Sequence, residues 1–375
     1  MATLNARFAR AFFYLWCVPG LAAPSTTWVL GATVAQESVG FNLPVLALSQ
    51  PDWSNYLSQA DNPGRAFQNQ QIEIYAQHPS GWRVAAVVRS QTWLDANADA
   101  VTLAAAQASN TNPPEQRHYQ LAALSQGWAG RGLRLGTPWW PVATSRRWQW
   151  QAGLALLQLT QLRLAQVGGQ LDYTAANAYD FDLWSQRSNT GITGRFLPAS
   201  GSAGSGASMS LAVQGQPLPG WQVALRVDDL ASTLQWNNLA TDANALVSAN
   251  TSRRPDGYLD YAPYLKGQKT LQAVTAHIDP RWQLNVQRTL NADASNHAAL
   301  TLQMSRQAGI NQAWLGWQSG PTGGQAPHWS LTLEPHWRAL KLQAGWHGWQ
   351  LVLASDGKGP DTQYRRVELG WQSGF

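Results

Sequence analysis

From about residue 70 onward the chain alternates with a period of two, and each clear run begins with a Trp just after a turn. In the run led by Trp82, the residues Trp82, Val84, Ala86 and Val88 fall on one face and Arg83, Arg89 and Gln91 on the other. Trp221, Val223, Leu225 and Val227 oppose Gln222, Arg226 and Asp228 in the same way, and Trp282, Leu284 and Val286 oppose Gln283, Asn285 and Gln287. Trp148, Trp150, Ala152 and Leu154 alternate with Gln149 and Gln151, and Trp349, Leu351 and Leu353 repeat the arrangement. Successive side chains of a strand point to opposite faces, so each run is a strand with one apolar and one polar side.

Two environments accept such strands. A soluble sandwich buries the apolar face and wets the other, which is then usually rich in Lys and Glu. Here Lys occurs 4 times and Glu 5 times in 375 residues, against 36 Gln, 22 Arg and 21 Trp, and charged residues total 13%. A transmembrane barrel inverts the geometry, with lipid against the apolar face, a confined polar lumen and aromatic girdles at the interfaces. Trp82, Trp148, Trp221, Trp282 and Trp349, each at a strand entry, are the candidate girdle. Gln suits a lumen because its amide both donates and accepts without carrying charge.

The spacing of the connections fits hairpins. His78–Gly81, Gln216–Gly220, Ile278–Pro280 and Gln307–Gly309 are short and built from turn residues, whereas 95–116, 187–207, 238–268 and 319–327 are long and polar. Short turns on one side and long loops on the other is the asymmetry of outer-membrane barrels. The Trp-led strands recur at intervals of 66, 73, 61 and 67 residues, too long for propeller blades, and two hairpins per interval account for them.

The first residues read as an export signal. Arg7 and Arg10 precede the apolar run 11–23, which is shorter than the roughly 20 residues of a membrane-spanning helix. Cleavage is expected after Ala22, with Ala35 as the alternative. Removal takes away Cys17, the single cysteine, and with Arg7 and Arg10 lowers the net charge from +5 to +3. Disulfide scaffolds and Cys-based zinc sites are excluded, and the scattered Arg do not form a nucleic-acid surface.

The last strand pairs Val367, Leu369, Trp371 and Phe375 on one face with Tyr364, Arg366, Glu368, Gly370 and Gln372 on the other. This resembles the C-terminal strand of Gram-negative outer-membrane β-barrel proteins, which ends in Phe with apolar residues at alternate positions before it. Ser373 departs from that pattern, standing where an apolar or aromatic residue is usual. The resemblance implies recognition by the barrel assembly machinery, escort by periplasmic chaperones, residence among outer-membrane lipids, and closure of the last strand on the first. The expected fold is therefore an all-β, antiparallel up-and-down transmembrane barrel over 70–375. A count of 9–11 residues per strand plus connections gives about 16 strands, within 14–18. Segment 23–69 alternates poorly and reads as a plug, an extension or irregular first strands.

Candidate chemistry is sparse. Asp95, Asn97 and Asp99 match the first ligands of a calcium loop, but Ala100 and Ala106 replace its Gly and its bidentate Glu, so an acidic cap before an Ala-rich loop helix is the expected reading. His118 and His297 are the available general bases for a barrel-embedded hydrolase. Neither a metal site nor a cofactor is expected. Arg83, Arg89, Arg163, Arg226 and Arg366, together with Asp180 and Asp182, fall on polar faces and are the candidate pore-lining residues; opposed cations and carboxylates set a field across a pore. Segment 148–167 reads as two strands with a tight turn near residue 160. The expected function is that of a monomeric, porin-like passive channel for small solutes. The alternatives are a closed barrel with a structural, adhesive or assembly role, and a surface hydrolase.

Overall fold

The computed structural model describes residues 27–43, 62–142, 145–175, 178–192, 204–248, 251–253, 259–261, 265–291, 298–320, 327–357 and 362–374. The chain opens with β1 (Val29–Phe41), β2 (Gly64–Gln77) and β3 (Arg83–Ala96), followed by the helix α1 (Ala98–Ala108). β4 (His118–Gly136), the short β5 (Trp140–Val142), β6 (Ser145–Ala175) and β7 (Ala178–Asn189) come next. The middle of the chain forms β8 (Gly204–Gly215), β9 (Trp221–Val247), a small hairpin of β10 (Thr251–Arg253) and β11 (Leu259–Tyr261), and β12 (Leu265–Ala276). The last third is a regular meander of β13 (Arg281–Asn291), β14 (Ala298–Gln307), β15 (Ile310–Ser319), β16 (His328–Glu334), β17 (Ala339–Trp346), β18 (Trp349–Ser355) and β19 (Tyr364–Gly374).

Fourteen of these strands close into one antiparallel barrel, with β5, β7 and β12 outside the ring. The expected 16 is thus corrected to 14, because β6 and β9 each take the length that a hairpin would have used. The closing seam runs from Val29 opposite Gly374 to Val39 opposite Tyr364, so the first and last strands meet as the terminal motif implies. Closure leaves no unpaired strand edge facing hydrocarbon. Both β1 and β2 belong to the ring, although the sequence around them alternates poorly; residues 44–61 lie outside the described residues.

Segment 148–167 is one strand, not two. β6 runs for 31 residues, and Thr160 is the extra residue of a bulge: Ala129 of β4 pairs with Gln161, and Gly130 with Leu159. The irregularity near 160 is real, but a bulge swaps the facing of all later residues without reversing the chain. Leu157, Leu159 and Leu162 are therefore all buried inside, and the run fits no single period.

Outside, the barrel carries an apolar belt. Leu30, Ile74, Val84, Leu133, Leu156, Met304, Leu315, Leu340 and Val367 are exposed large side chains on the outer face. No helix among the described residues is long and apolar enough to cross a membrane. A strand needs about 9–11 residues for this. β6 and the 27-residue β9 run far beyond. Their outer parts pair with β7 and β12, forming a sheet that extends past the barrel rim.

The termini and the turns 78–82, 216–220 and 347–348 share one end, together with the connection between β15 and β16. Turns 277–280 and 308–309 lie at the other end, with α1 and the long connections. The expected division by turn length therefore holds only in part. Trp82, Trp148, Trp221 and Trp349 stand at the terminal end, joined there by Trp28, Trp329 and Trp346. Trp282 stands at the opposite rim, because its Asp279-Pro280 turn belongs to the loop end. On the last strand, Val367 and Leu369 are exposed outside while Tyr364 and Glu368 are buried inside; Phe375 lies outside the described residues.

Candidate functional site: the charged barrel interior

Alternation delivers the polar side chains of β1, β2, β3, β4, β9, β13, β17 and β19 to the interior, where they form two ion-pair clusters. In the first, Glu73 accepts from Arg83 at 2.7 Å and from Arg134 at 3.0 Å, and its Oε2 also accepts from Gln71 at 2.9 Å. Beside it the Arg226 guanidinium binds Asp228 at 2.6 Å, and Arg89 binds Asp229 through two parallel contacts of 2.9 and 2.7 Å. Ser208 Oγ donates to the same Asp229 carboxylate. Planar guanidinium–carboxylate forks fix geometry as well as charge.

Two adjacent carboxylates reach one interior because β9 is bulged. Val227 pairs with Leu211 and Ala231 with Met209, so 228–230 face a single residue of β8. Asp229 takes a left-handed backbone conformation, φ 57°. A non-glycine residue holds that conformation at some cost, and here its ion pair with Arg89 opposes the cost.

The second cluster centres on Glu37, which is bound by Arg281, by the Tyr364 hydroxyl at 3.1 Å and by Arg366 at 3.7 Å. Arg366 also binds Glu368, its neighbour two residues along β19. Lys341 donates to Gln303 and sits 4.4 Å from the Trp314 ring centre.

Above and between these groups the interior is apolar. One cluster joins Val87, Trp128, Leu157, Leu159, Leu162, Leu234, Trp236, Ala276 and Ile278. Another packs Val39, Phe67, Ile310, Trp314, Trp337 and Tyr364. Two cavities lie inside the barrel, the second of which borders the first cluster. A cavity of about 270 Å³ lies among the charged residues, lined also by Gln71, Gln151, Gln287, Gln303 and Gln350. A second, about 530 Å³, opens at the loop end among Trp93, Leu124, Gln126, Leu164, Ser188 and His277. Its floor includes Ala276 and Ile278, which are members of the same apolar cluster.

Of the sequence candidates, Arg83, Arg89, Arg226 and Arg366 meet inside the barrel. Arg163, Asp180 and Asp182 do not. The bulge at Thr160 puts Arg163 on the face opposite the buried Leu162, where it is exposed. Asp180 and Asp182 lie on β7, opposite Asp172 and Gln170 of the extended part of β6, and both are exposed. Sequence reading missed Glu37, Glu73, Arg134, Asp229, Arg281 and Lys341. Their signal was scarcity: four of the five Glu and three of the four Lys stand within strands, where Gln is the rule at polar positions.

The remaining candidates resolve locally. Asn97 caps α1, its side chain accepting from Ala100 N at 3.0 Å, and Asp99 binds Arg117 at 2.7 Å. Asp95 is held by Arg65 at 3.2 Å, so the three calcium-like positions have separate tasks. No group of three or more metal-ligating side chains occurs among the described residues. His118 Nδ1 lies 2.8 Å from Asp172, but no Ser, Thr or Cys side chain hydrogen-bonds this His among the described residues. His297 lies outside them.

No protein-family model and no curated protein matches the sequence. Among solved structures, the chain is similar to the toluene transporter TodX of P. putida, with 9% identity, coverage of 95% of this chain and 91% of that one, and a TM-score of 0.38. It is also similar to the translocator domain of the autotransporter NalP from Neisseria meningitidis (12% identity, 94% and 89% coverage, TM-score 0.27). A third is the outer membrane protease OmpT from Escherichia coli (7% identity, 93% and 95% coverage, TM-score 0.20).

Proposed function

We propose that the protein is a narrow outer-membrane conduit for small solutes, captured with its lumen closed. The observation that carries this reading is the pair of cavities, about 530 and 270 Å³, inside a single barrel, the first of them bordered by the apolar cluster that contains Ala276 and Ile278. A ring of 14 strands is wider than the eight-stranded barrels whose side chains fill their interior. The lumen in this reading is a polar chamber at the terminal end, an apolar partition, and a vestibule at the loop end. Passage requires the partition to move, with the Arg89–Asp229 fork beside it as a latch. The lining residues of the conduit are Arg83, Arg89, Arg226 and Arg366 with their carboxylates.

The apolar belt and the Trp residues at the terminal rim support insertion in the outer membrane with the termini in the periplasm. Export uses the signal at 1–22. Cutting after Ala22 leaves β1 whole, whereas cutting after Ala35 removes the first half of a strand that closes the ring. Val367, Leu369, Trp371 and Phe375 are the assembly signal, and the barrel works as a monomer without a cofactor.

The apolar filling of the loop half favours a second reading, a permanently closed barrel with a structural role. Planar-bilayer recording separates the two. Discrete unitary steps from the refolded barrel are expected of a conduit. A folded barrel that stays silent at all voltages would leave the structural reading.

A further inference from the structure

We infer that the inner cavity is a binding site for a small oxyanion, a carboxylate or phosphate, seated against Lys341. The inference deepens the conduit reading and rests on it for its role in transport, though the site itself does not need the lumen to open. Charge is the first argument. Six Arg and Lys side chains line the cavity against three carboxylates. Glu37, buried behind the wall, answers Arg281 and Arg366, and the wall still carries an excess of positive charge.

Lys341 concentrates that excess. Its side chain lines the cavity, the residue is 5% exposed, and among the described residues no carboxylate lies within salt-bridge distance of its ammonium. Gln303 and the face of Trp314 are its partners. An ammonium has three protons to donate, and one amide oxygen and one ring leave it under-bonded. A buried cation without an anion is costly unless a ligand supplies the countercharge.

Unpartnered hydroxyls accompany it. Thr332 is directly opposite Lys341 across β16 and β17, is 2% exposed, and has no hydrogen-bond partner for its Oγ1. Thr301 and Thr33, both buried in the cavity wall, have no partner for theirs either. Buried polar groups are nearly always satisfied, and those that are not mark a place for a polar occupant. Hydroxyl donors in the wall of one cavity, together with the Lys341 ammonium and the Arg281 and Arg366 guanidinia, make an oxyanion receptor. The cavity of about 270 Å³ limits the occupant to a small molecule.

Isothermal titration of the folded barrel in detergent with sodium phosphate, and separately with sodium acetate, tests the site. Saturable binding is expected for at least one anion. Lys341→Met should weaken it by about tenfold or more, the scale of one lost charge-assisted hydrogen bond. Thr332→Val keeps the charge and should weaken it less, so a folding defect in the first variant does not decide the matter; heat-modifiable gel mobility reports folding of both. Absence of saturable binding of either anion, or affinity unchanged in both folded variants, overturns the site. Bilayer reversal potentials in a KCl gradient provide the transport arm: chloride preference supports a role for the site in transport, and potassium preference overturns that role. Saturable phosphate binding by a barrel that never conducts would uphold the site and remove the conduit.

Discussion

Arg89 of β3 and Asp229 of β9, 140 residues apart in sequence, meet inside the barrel in a bidentate pair of 2.9 and 2.7 Å. The two side chains are 12% and 2% exposed, and the Arg89 guanidinium lies 5.4 Å from the ring centre of Trp128, a member of the apolar cluster. Asp229→Asn is expected to destabilise the folded barrel by about 3–5 kcal/mol, because it leaves a buried guanidinium uncompensated. Urea titration of folding into lipid vesicles measures this. A loss below about 1 kcal/mol, the worth of an exposed pair, would mean that the pair is solvated and closes nothing.

The outer belt has its own test. Leu133 is 58% exposed on the outer face of β4. Leu133→Arg should lower stability in vesicles by about 2–4 kcal/mol if the position lies near the bilayer midplane. Unchanged stability would place this face in water.

Ion selectivity distinguishes the interior charges from those of the extension. Removing Arg226 exposes Asp228 to the cavity, so Arg226→Ala should shift selectivity toward cations. Asp180→Ala should leave selectivity where it was, since this carboxylate lies on β7 outside the ring. Reversal potentials of the two variants check both statements, and a shift for Asp180→Ala alone would invert the assignment.

The α1 tether should respond to acid. Partial burial raises the Asp99 pKa, but hydrogen bonds from Arg117 and from the backbone of Gln120, with the nearby positive charge, outweigh it and hold the carboxyl below its ordinary 3.8. A depressed carboxyl contributes stability that is complete above that ordinary value and is lost as pH falls through the lowered one. Amide exchange over 98–120 should stay slow from neutral pH to about pH 4 and rise below, and Asp99→Asn should remove the step. An identical acid profile in the variant would assign the tether to other groups.

Parts of the meander from β13 to β19 were legible in the sequence because long runs of it alternate without a break: Trp282, Leu284 and Val286 on one face, and Val367, Leu369 and Trp371 on another. The strand count was overestimated where bulges and long strands intervene. At Thr160 one extra residue reverses the facing of the rest of β6, and the run 148–167 then satisfies neither a strand nor a helix template. At Asp229 a left-handed residue turns an adjacent pair of carboxylates to the same side, which alternation forbids. Asp180 and Asp182 alternate correctly, but alternation reports facing and says nothing of how far along a strand the barrel ends.

By itself the sequence determined the solvent arrangement: apolar residues at every second position, with Gln and Arg between them, suit lipid outside and a confined interior. It also determined the closing edge, through the last strand. The tertiary structure alone decided which charges meet. Glu37 finds Arg281, and Arg89 finds Asp229, because ring size and two bulges set the register between distant strands. Ion pairing depends on a few ångströms of that register, and no local pattern records it.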